Sequence, residues 1–341
     1  MRAPIPSVLR RRLILGGIAG SALLASLYGL TLRRGTATAE ASRLRIATPL
    51  VPHAGLIHLA SARGFFRGQD LDVSLLPQMY GKAALADLLR GRADLAVAAD
   101  VPVVVEVLKG APLSIVASVA TASNELAVLG RIDRGIRNPG DLRGHKIGVT
   151  LGTSGEYFLW AFLVRHRIAP ESLQLIDLAP SGLIEALREG RVDAVAAWQP
   201  VRHMAEVAFG DALVSLQAPD AYAQRYVLVG RGDYVQAEQP ALRRLLYALT
   251  EAESFAHAEP QKAKTALADL IKLSLEGLDP SWQDMSFEVE QQQAQLVTLE
   301  DVATWAMARG YAPVQSMPNF LSHLALGPLL AVGPERVTVV R

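Results

Sequence analysis

The 341-residue chain contains no cysteine. That excludes a disulfide frame, thiolate metal ligands, a cysteine nucleophile and a lipid-modified N-terminal Cys. It also has no acidic residue before Glu40, although Arg2, Arg10, Arg11, Arg12, Arg33 and Arg34 all lie there. The formal net charge of +1 therefore hides a body with 28 basic and 33 acidic residues, net −5. A body of that balance is a poor partner for a phosphate backbone, so no nucleic acid is expected. Enzyme signatures are missing too: there is no Gly-x-Ser-x-Gly elbow, no Walker loop and no His-Glu-x-x-His. His145 and His166 lack neighbours of metal-ligand type, and the acids are scattered along helix faces. Neither a metal nor a cofactor is expected.

The N-terminus is read apart from the body. Arg10-Arg11-Arg12 precedes an apolar run from Leu13 to Leu32, and Thr36-Ala37-Thr38-Ala39 follows it. Basic, apolar and small-residue regions in that order make a secretory signal. The paired arginines resemble a twin-arginine export signal, although Leu13-Ile14-Leu15 follows them without a Phe. An apolar run of this length can also span a bilayer. Residues 1–39 are thus an export signal or an uncleaved anchor, and either places the body outside the cytoplasm, in the periplasm.

Half of the residues are hydrophobic, enough for two domains of ordinary size. Leu44 to Ala47 and Leu71 to Leu75 alternate as strands do, and Leu56 to Ala62 and Lys82 to Arg90 read as helices. Leu95 to Ala99 is wholly apolar, as in a parallel strand covered on both faces. The pattern restarts after Gly144. His145 to Thr150, Leu173 to Leu178 and Ala194 to Ala197 are strands; Glu156 to His166 is a helix, and so is Ser181 to Glu189 with Ser181 as its cap. One segment occurs in both halves, GRADLAVAADVP at 91–102 and GRVDAVAAWQP at 190–200, with starts 99 positions apart. The copies differ most before the Pro, where Asp100-Val101 stands against Trp198-Gln199. The expectation is an α/β chain of two parallel-sheet lobes facing one cleft. Residues 40–122 and 228–341 would form the first lobe and 123–227 the second. A two-crossing hinge would include Thr121, Ser123 and Asn124.

Open α/β sheets bind ligands beyond the carboxyl ends of their strands. The strongest element there is Gly152-Thr153-Ser154-Gly155, which follows a strand and opens a helix. Free amides at a helix start attract anions, and two hydroxyls add donors; alternatively Ser154 simply caps the helix, with Glu156 complementing the dipole. Gly81-Lys82 is a second helix start with a fixed charge, or a solvated surface lysine. Asp100 ends a buried strand and needs a donor from the protein or from a ligand amine. Trp198 is a flat wall for a ligand or ordinary packing between lobes, and Gln199 beside it donates and accepts. His53 in the first loop is a contact or a structural histidine.

With these residues in view, the chain resembles the periplasmic substrate-binding proteins of ABC importers for nitrate, sulfonates and taurine, and their relatives that bind thiamine-pyrimidine precursors. The likeness rests on Leu59 to Phe66 with Leu71-Asp72-Val73, on Asp141 to Val149, on Gly152-Thr153-Ser154 with Tyr157-Phe158-Leu159, and on Glu185 to Ala194 with Trp198-Gln199-Pro200. The tail, Pro318-Asn319-Phe320 with Pro334 to Val337, fits as well. The resemblance implies the bilobal periplasmic-binding-protein fold, type II, and no chemistry on the ligand. It implies a small-molecule ligand and delivery to an ABC permease with its cytoplasmic ATPase. A monomer is expected. Thr153, Ser154 and their amides would hold an anionic or zwitterionic solute. Lys82 would add charge, Trp198 would pack on the solute with Tyr157 nearby, and Asp100 or Gln199 would read a polar end. A heteroaromatic aminopyrimidine stacked on Trp198 is the alternative ligand. Other classes are a membrane-anchored sensor and a pyrimidine-synthesising enzyme, against which export and the lack of cysteine argue.

Overall fold

A short buried strand needs a partner on each side, and both copies of the repeated segment find theirs in the same way. The computed structural model describes residues 42–312 and 316–340; the expected signal or anchor, residues 1–39, lies outside the described residues. In chain order the strands are β1 (Ser42–Pro49), β2 (Leu71–Gln78), β3 (Leu95–Ala99), β4 (Leu113–Ala122), β5 (Ala127–Arg131) and β6 (Lys146–Val149). They continue with β7 (Gln174–Asp177), β8 (Ala194–Ala197), β9 (Leu213–Leu216), β10 (Gln224–Arg231) and β11 (Met285–Ser286). The helices used below are α1 (Gly55–Arg63), α2 (Gly81–Leu89), α3 (Asp100–Leu108), α4 (Ser154–Arg165) and α5 (Leu183–Arg188). After them come α6 (Val201–Phe209), α7 (Gln239–Ala258), α8 (Pro260–Ile271), α9 (Leu275–Asp284) and α10 (Gln293–Ala308).

Two sheets result, one ordered β11-β4-β10-β3-β1-β2 and the other β7-β6-β8-β5-β9. The repeated segment builds the same corner in each. Gly91 (φ 71°) and Gly190 (φ 70°) end α2 and α5 in the left-handed conformation that glycine adopts without a Cβ penalty. The N–H of Asp94 then donates to the Arg45 carbonyl at 2.9 Å, while its carboxylate accepts the Arg45 N–H at 2.8 Å. Asp193 repeats this on Lys146, at 2.8 and 3.0 Å. The aspartate thus docks β3 on β1, and β8 on β6, at the point where each pair begins.

Parallel pairing holds within β2-β1-β3 and β7-β6-β8. Each sheet then departs from the all-parallel expectation. Antiparallel β10 lies between β3 and β4, and antiparallel β5 between β8 and β9. The cause is the crossings, residues 123–126 and 217–223. A strand arriving from the other lobe enters where the parallel strands finish, so Tyr226 pairs with Ala99 and Ala127 with Ala197, and it must run backward. The return to the first sheet begins at Gln224, earlier than the expected 228.

One local expectation is corrected. Pro180–Gly182 forms a tight 3-10 turn, so the helix starts at Leu183 and Ser181 caps nothing. Helix α3 starts at Asp100, with Pro102 inside its first turn. Leu242, Leu245 and Leu249 of α7 pack with Leu44, Ile46 and Val97 on one face of the first sheet. On the other face a single core includes Val104 of α3, Trp305 of α10 and Phe158 and Phe162 of α4, so the lobes share buried packing. Among the described residues no helix is long and apolar enough to cross a membrane.

Candidate ligand-binding cleft

The carboxyl ends of β3, β6 and β8 converge on one small cleft. The first lobe contributes Tyr80, Gly81, Lys82, Ala99 and Pro102; the second contributes Thr153, Ser154 and Trp198; Gln224 and Tyr226 of β10 complete the lining. Gly81, Lys82, Thr153, Ser154 and Trp198 are therefore brought together, as their positions at strand ends suggested. A Cβ on Gly81 would lie 2.9 Å from Ala98 Cα, so only glycine lets α2 start this close to β3.

The α4 turn is only partly free for a ligand. Thr153 donates its hydroxyl to the Thr150 carbonyl at 2.6 Å, and Gly152 (φ 67°) donates its N–H to Glu156 Oε2 at 2.7 Å. Glu156 is buried at the positive end of α4. It also accepts from Tyr311 Oη and, at 3.3 Å, from Arg309 Nη2, groups that follow α10 in the first lobe. What remains for an anion is the Ser154 hydroxyl and the first-turn amides of Ser154 and Gly155, which have no carbonyl within the helix to pair with. Lys82 is committed as well: its Nζ donates to the Leu151 carbonyl at 2.8 Å, across the cleft. It stands at the edge of the turn as a charge already anchored. Trp198 is 5% exposed. A Cβ at Gly155 would meet its ring at 3.1 Å, so glycine there keeps the indole against α4.

Asp100 lies one layer below the lining. Its Oδ1 accepts from the Tyr222 hydroxyl and, at 2.8 Å, from the Val101 N–H, while Oδ2 has no hydrogen-bond partner among the described residues. Burial pushes its pKa up to about 6, against the pull of those two donors and of Arg225. The same Tyr222 hydroxyl reaches Ser154 Oγ at 3.4 Å, so Asp100, Tyr222 and Ser154 form one chain from lobe to lobe. Gln224 Oε1 is a second buried acceptor left unpaired among the described residues. Tyr222, Gln224, Tyr226 and Tyr80 were not singled out from the sequence. The signal for two of them was present: Gln224 and Tyr226 are two apart at the start of a strand, hence on one face.

The other expected contacts lie elsewhere. His53 is fully buried behind Tyr226, stacked on it with ring centroids 4.5 Å apart and 13° between planes. Its Nε2 lies 3.6 Å from Oε1 of Glu125, a residue of the first crossing. Burial lowers His53 to about 3 and raises Glu125 to about 8. Tyr157 packs edge-on to Tyr222 (4.9 Å) and Trp305 (5.3 Å), inside the shared core. Gln199 turns away and accepts the His203 N–H at 2.9 Å, holding the start of α6. Of the hinge candidates, Thr121 is a paired residue of β4. Ser123 Oγ and Asn124 N donate to Asp284 at 3.2 and 2.6 Å, and the Asn124 carbonyl accepts from Arg202 at 2.7 Å.

Known proteins of this kind share both pattern and architecture. The family described as NMT1/THI5 like matches residues 51–263. A binding protein of Brucella abortus (strain 2308) is 28% identical over 154 residues, covering 42% of this chain. The match spans about half the length of that relative, 46%. Among solved structures, the alkanesulfonate-binding protein SsuA from Xanthomonas axonopodis pv. citri, bound to MOPS, superposes with a TM-score of 0.72 at 20% identity. That likeness covers 84% of this chain and 99% of SsuA. The periplasmic nitrate-binding protein NrtA from Synechocystis PCC 6803 gives a TM-score of 0.70 at 13% identity, over 87% and 89% of the two chains. Likeness at such identities carries the fold, which is that of the periplasmic binding proteins.

Proposed function

The chain belongs to the NMT1/THI5-like family, and from that membership we propose that it is an extracytoplasmic solute receptor of an ABC importer. It captures a small anionic or zwitterionic organic solute of the sulfonate, taurine or nitrate class. The observation that carries this is a cleft with two chemistries in its lining. The first-turn amides of α4 and the Ser154 hydroxyl would hold an anion, and Gln224 Oε1, unpaired among the described residues, would take an N–H donor, with Asp100 one layer below it. Such a solute contacts both lobes only when they are together, so binding favours the closed form. The closed receptor then delivers it to a permease with its cytoplasmic ATPase, acting as a monomer and altering no bond of the solute. The same acceptors, with Trp198 as a wall, favour a heteroaromatic aminopyrimidine as the second reading.

A thermal-shift screen of the purified protein tests this, with taurine, alkanesulfonates, nitrate and aminopyrimidines as the panel. A ligand at a hundredfold its Kd adds about 2.7 kcal/mol, a rise of about 2–4 °C for each of those kcal/mol. A sulfonate hit that is lost in the double variant Thr153→Ala, Ser154→Ala supports the anion turn. A hit among pyrimidines alone selects the second reading, and silence across the panel overturns both. N-terminal sequencing of protein taken from cells tests export: a start at Glu40 means a cleaved signal, and Met1 or Arg2 means an anchor.

A further inference from the structure

The first crossing buries an acid that nothing satisfies. Glu125 is 1% exposed, and neither of its carboxyl oxygens makes a hydrogen bond among the described residues. Both ring nitrogens of His53, which lies 3.6 Å away, are unpaired there as well, and so is the Ser281 hydroxyl. None of the three lines the cleft, so solute binding does not account for them. Buried polar groups without partners are costly and call for a reason of their own.

The surroundings of Glu125 come from both lobes. The first lobe supplies His53, Tyr226 of β10, and Ser281 and Asp284 of α9; the second supplies the Gln199 N–H and Arg202 of α6. Asp284 repels an ionised Glu125 and Arg202 attracts it, while burial keeps the His53 ring, stacked on Tyr226, neutral. The two residues before Glu125 are tied to both sides too. Ser123 and Asn124 donate to Asp284, and the Asn124 carbonyl accepts from Arg202. Helices α6 and α9 touch each other here. Lobes that swing about the crossings therefore part α6 from α9, and Glu125 stands between them. With the lobes together, water is shut out and the carboxyl keeps its proton: burial first, then Asp284, raises its pKa from 4.5 to about 8. With the lobes apart, water reaches the carboxyl and removes the larger cause.

We infer that parting of the lobes frees a proton from Glu125, so that the first crossing is a proton-linked hinge and the cleft opens as pH rises. The O–H bond of the carboxyl breaks, the proton passes to water, and the carboxylate left behind faces Arg202. Closing reverses the step and takes one proton up. The closed form binds more protons, so it loses ground as pH climbs. The window is 6.5 to 8, above the range in which His53 and Asp100 also titrate. This rests on the lobe motion proposed above and not on the identity of the solute.

The chain lacks cysteine, so Met79→Cys with Met204→Cys accepts a single pair of nitroxide labels. Both residues are exposed, and they line one space from opposite lobes. Dipolar spectroscopy of the ligand-free full chain then reads the separation of the lobes. The ratio of parted to closed lobes should grow by up to about tenfold per pH unit between 6.5 and 8. With Glu125→Gln added, the ratio should stay constant. If the melting temperature shows that Gln unsettles the fold, Glu125→Met, also uncharged at every pH, takes its place. A ratio that is flat with Glu125 present, or that rises equally in the uncharged variant, overturns the inference. A solute screen without hits leaves this result unchanged, so the hinge and the solute reading fail separately.

Discussion

Segments 91–102 and 190–200 begin alike and part company at their ends. In both, a left-handed glycine and an aspartate on the neighbouring strand make one corner, with carboxylate contacts of 2.8 and 3.0 Å. After the buried strand, Asp100 enters α3 at once, and that helix is buried at every residue but Glu106. Trp198 instead precedes a turn into α6, of which only Arg202 and Ala205 are buried. The shared residues therefore serve the sheet. Of the divergent ones, Trp198 lines the cleft, Asp100 lies a layer below it, Val101 enters the core and Gln199 holds the start of α6.

Four experiments break or sharpen this division. Trp198→Ala deletes a nearly buried divergent residue; stability should fall by about 3–5 kcal/mol in urea unfolding, and the ligand-induced Tm shift should vanish. Asp94→Ala and Asp193→Ala each remove a shared residue. Each should cost about 1–3 kcal/mol while ligand Kd in the surviving folded protein stays the same. A change in Kd without a change in stability would end the distinction. Asp100→Asn keeps the acceptor for Tyr222 but removes the charge. Affinity for an amine-bearing solute should drop about tenfold at pH 7. In the wild type that affinity should rise as pH climbs through about 6, where Asp100 ionises, and in the variant it should be flat by titration calorimetry.

The smallest effect concerns the buried pair at the first crossing, which belongs to neither copy. Glu125, raised from 4.5 to about 8, keeps its proton in the folded state, so it removes stability as pH rises between those values. His53, lowered from 6.5 to about 3, refuses a proton that the unfolded chain accepts, so it removes stability as pH falls between them. The two slopes oppose each other from 4.5 to 6.5, and above 6.5 Glu125 acts alone. Glu125→Gln should flatten the decline in Tm between pH 6.5 and 8. A decline of equal size in the variant would place the cause elsewhere.

Much of the fold was legible because it is local. Glycines at helix ends and apolar runs report contacts near in sequence, and the repeat shows when the chain is laid against itself, although its aspartates bond residues 49 and 47 positions away. The strand directions were not, because β5 and β10 take theirs from the crossings rather than from their own residues. In the cleft, strand-end positions pointed to Gly81, Lys82, Thr153, Ser154 and Trp198. Tyr222 was hidden since its partner Asp100 is 122 positions away and nothing in its own neighbourhood announces the pairing. Lys82 and Glu156 show the opposite failure. Their residue types were read correctly as charges near a helix start, yet each is engaged by a group from the other lobe that no local pattern supplies.

The bond from Lys82 to the Leu151 carbonyl has an uneven inheritance. Every amino acid carries a carbonyl, so position 151 can drift through many side chains and still offer the same acceptor. Only the lysine end can be lost by a single codon change. Sequence variation among descendants of this chain should therefore be loose at 151 and tight at 82.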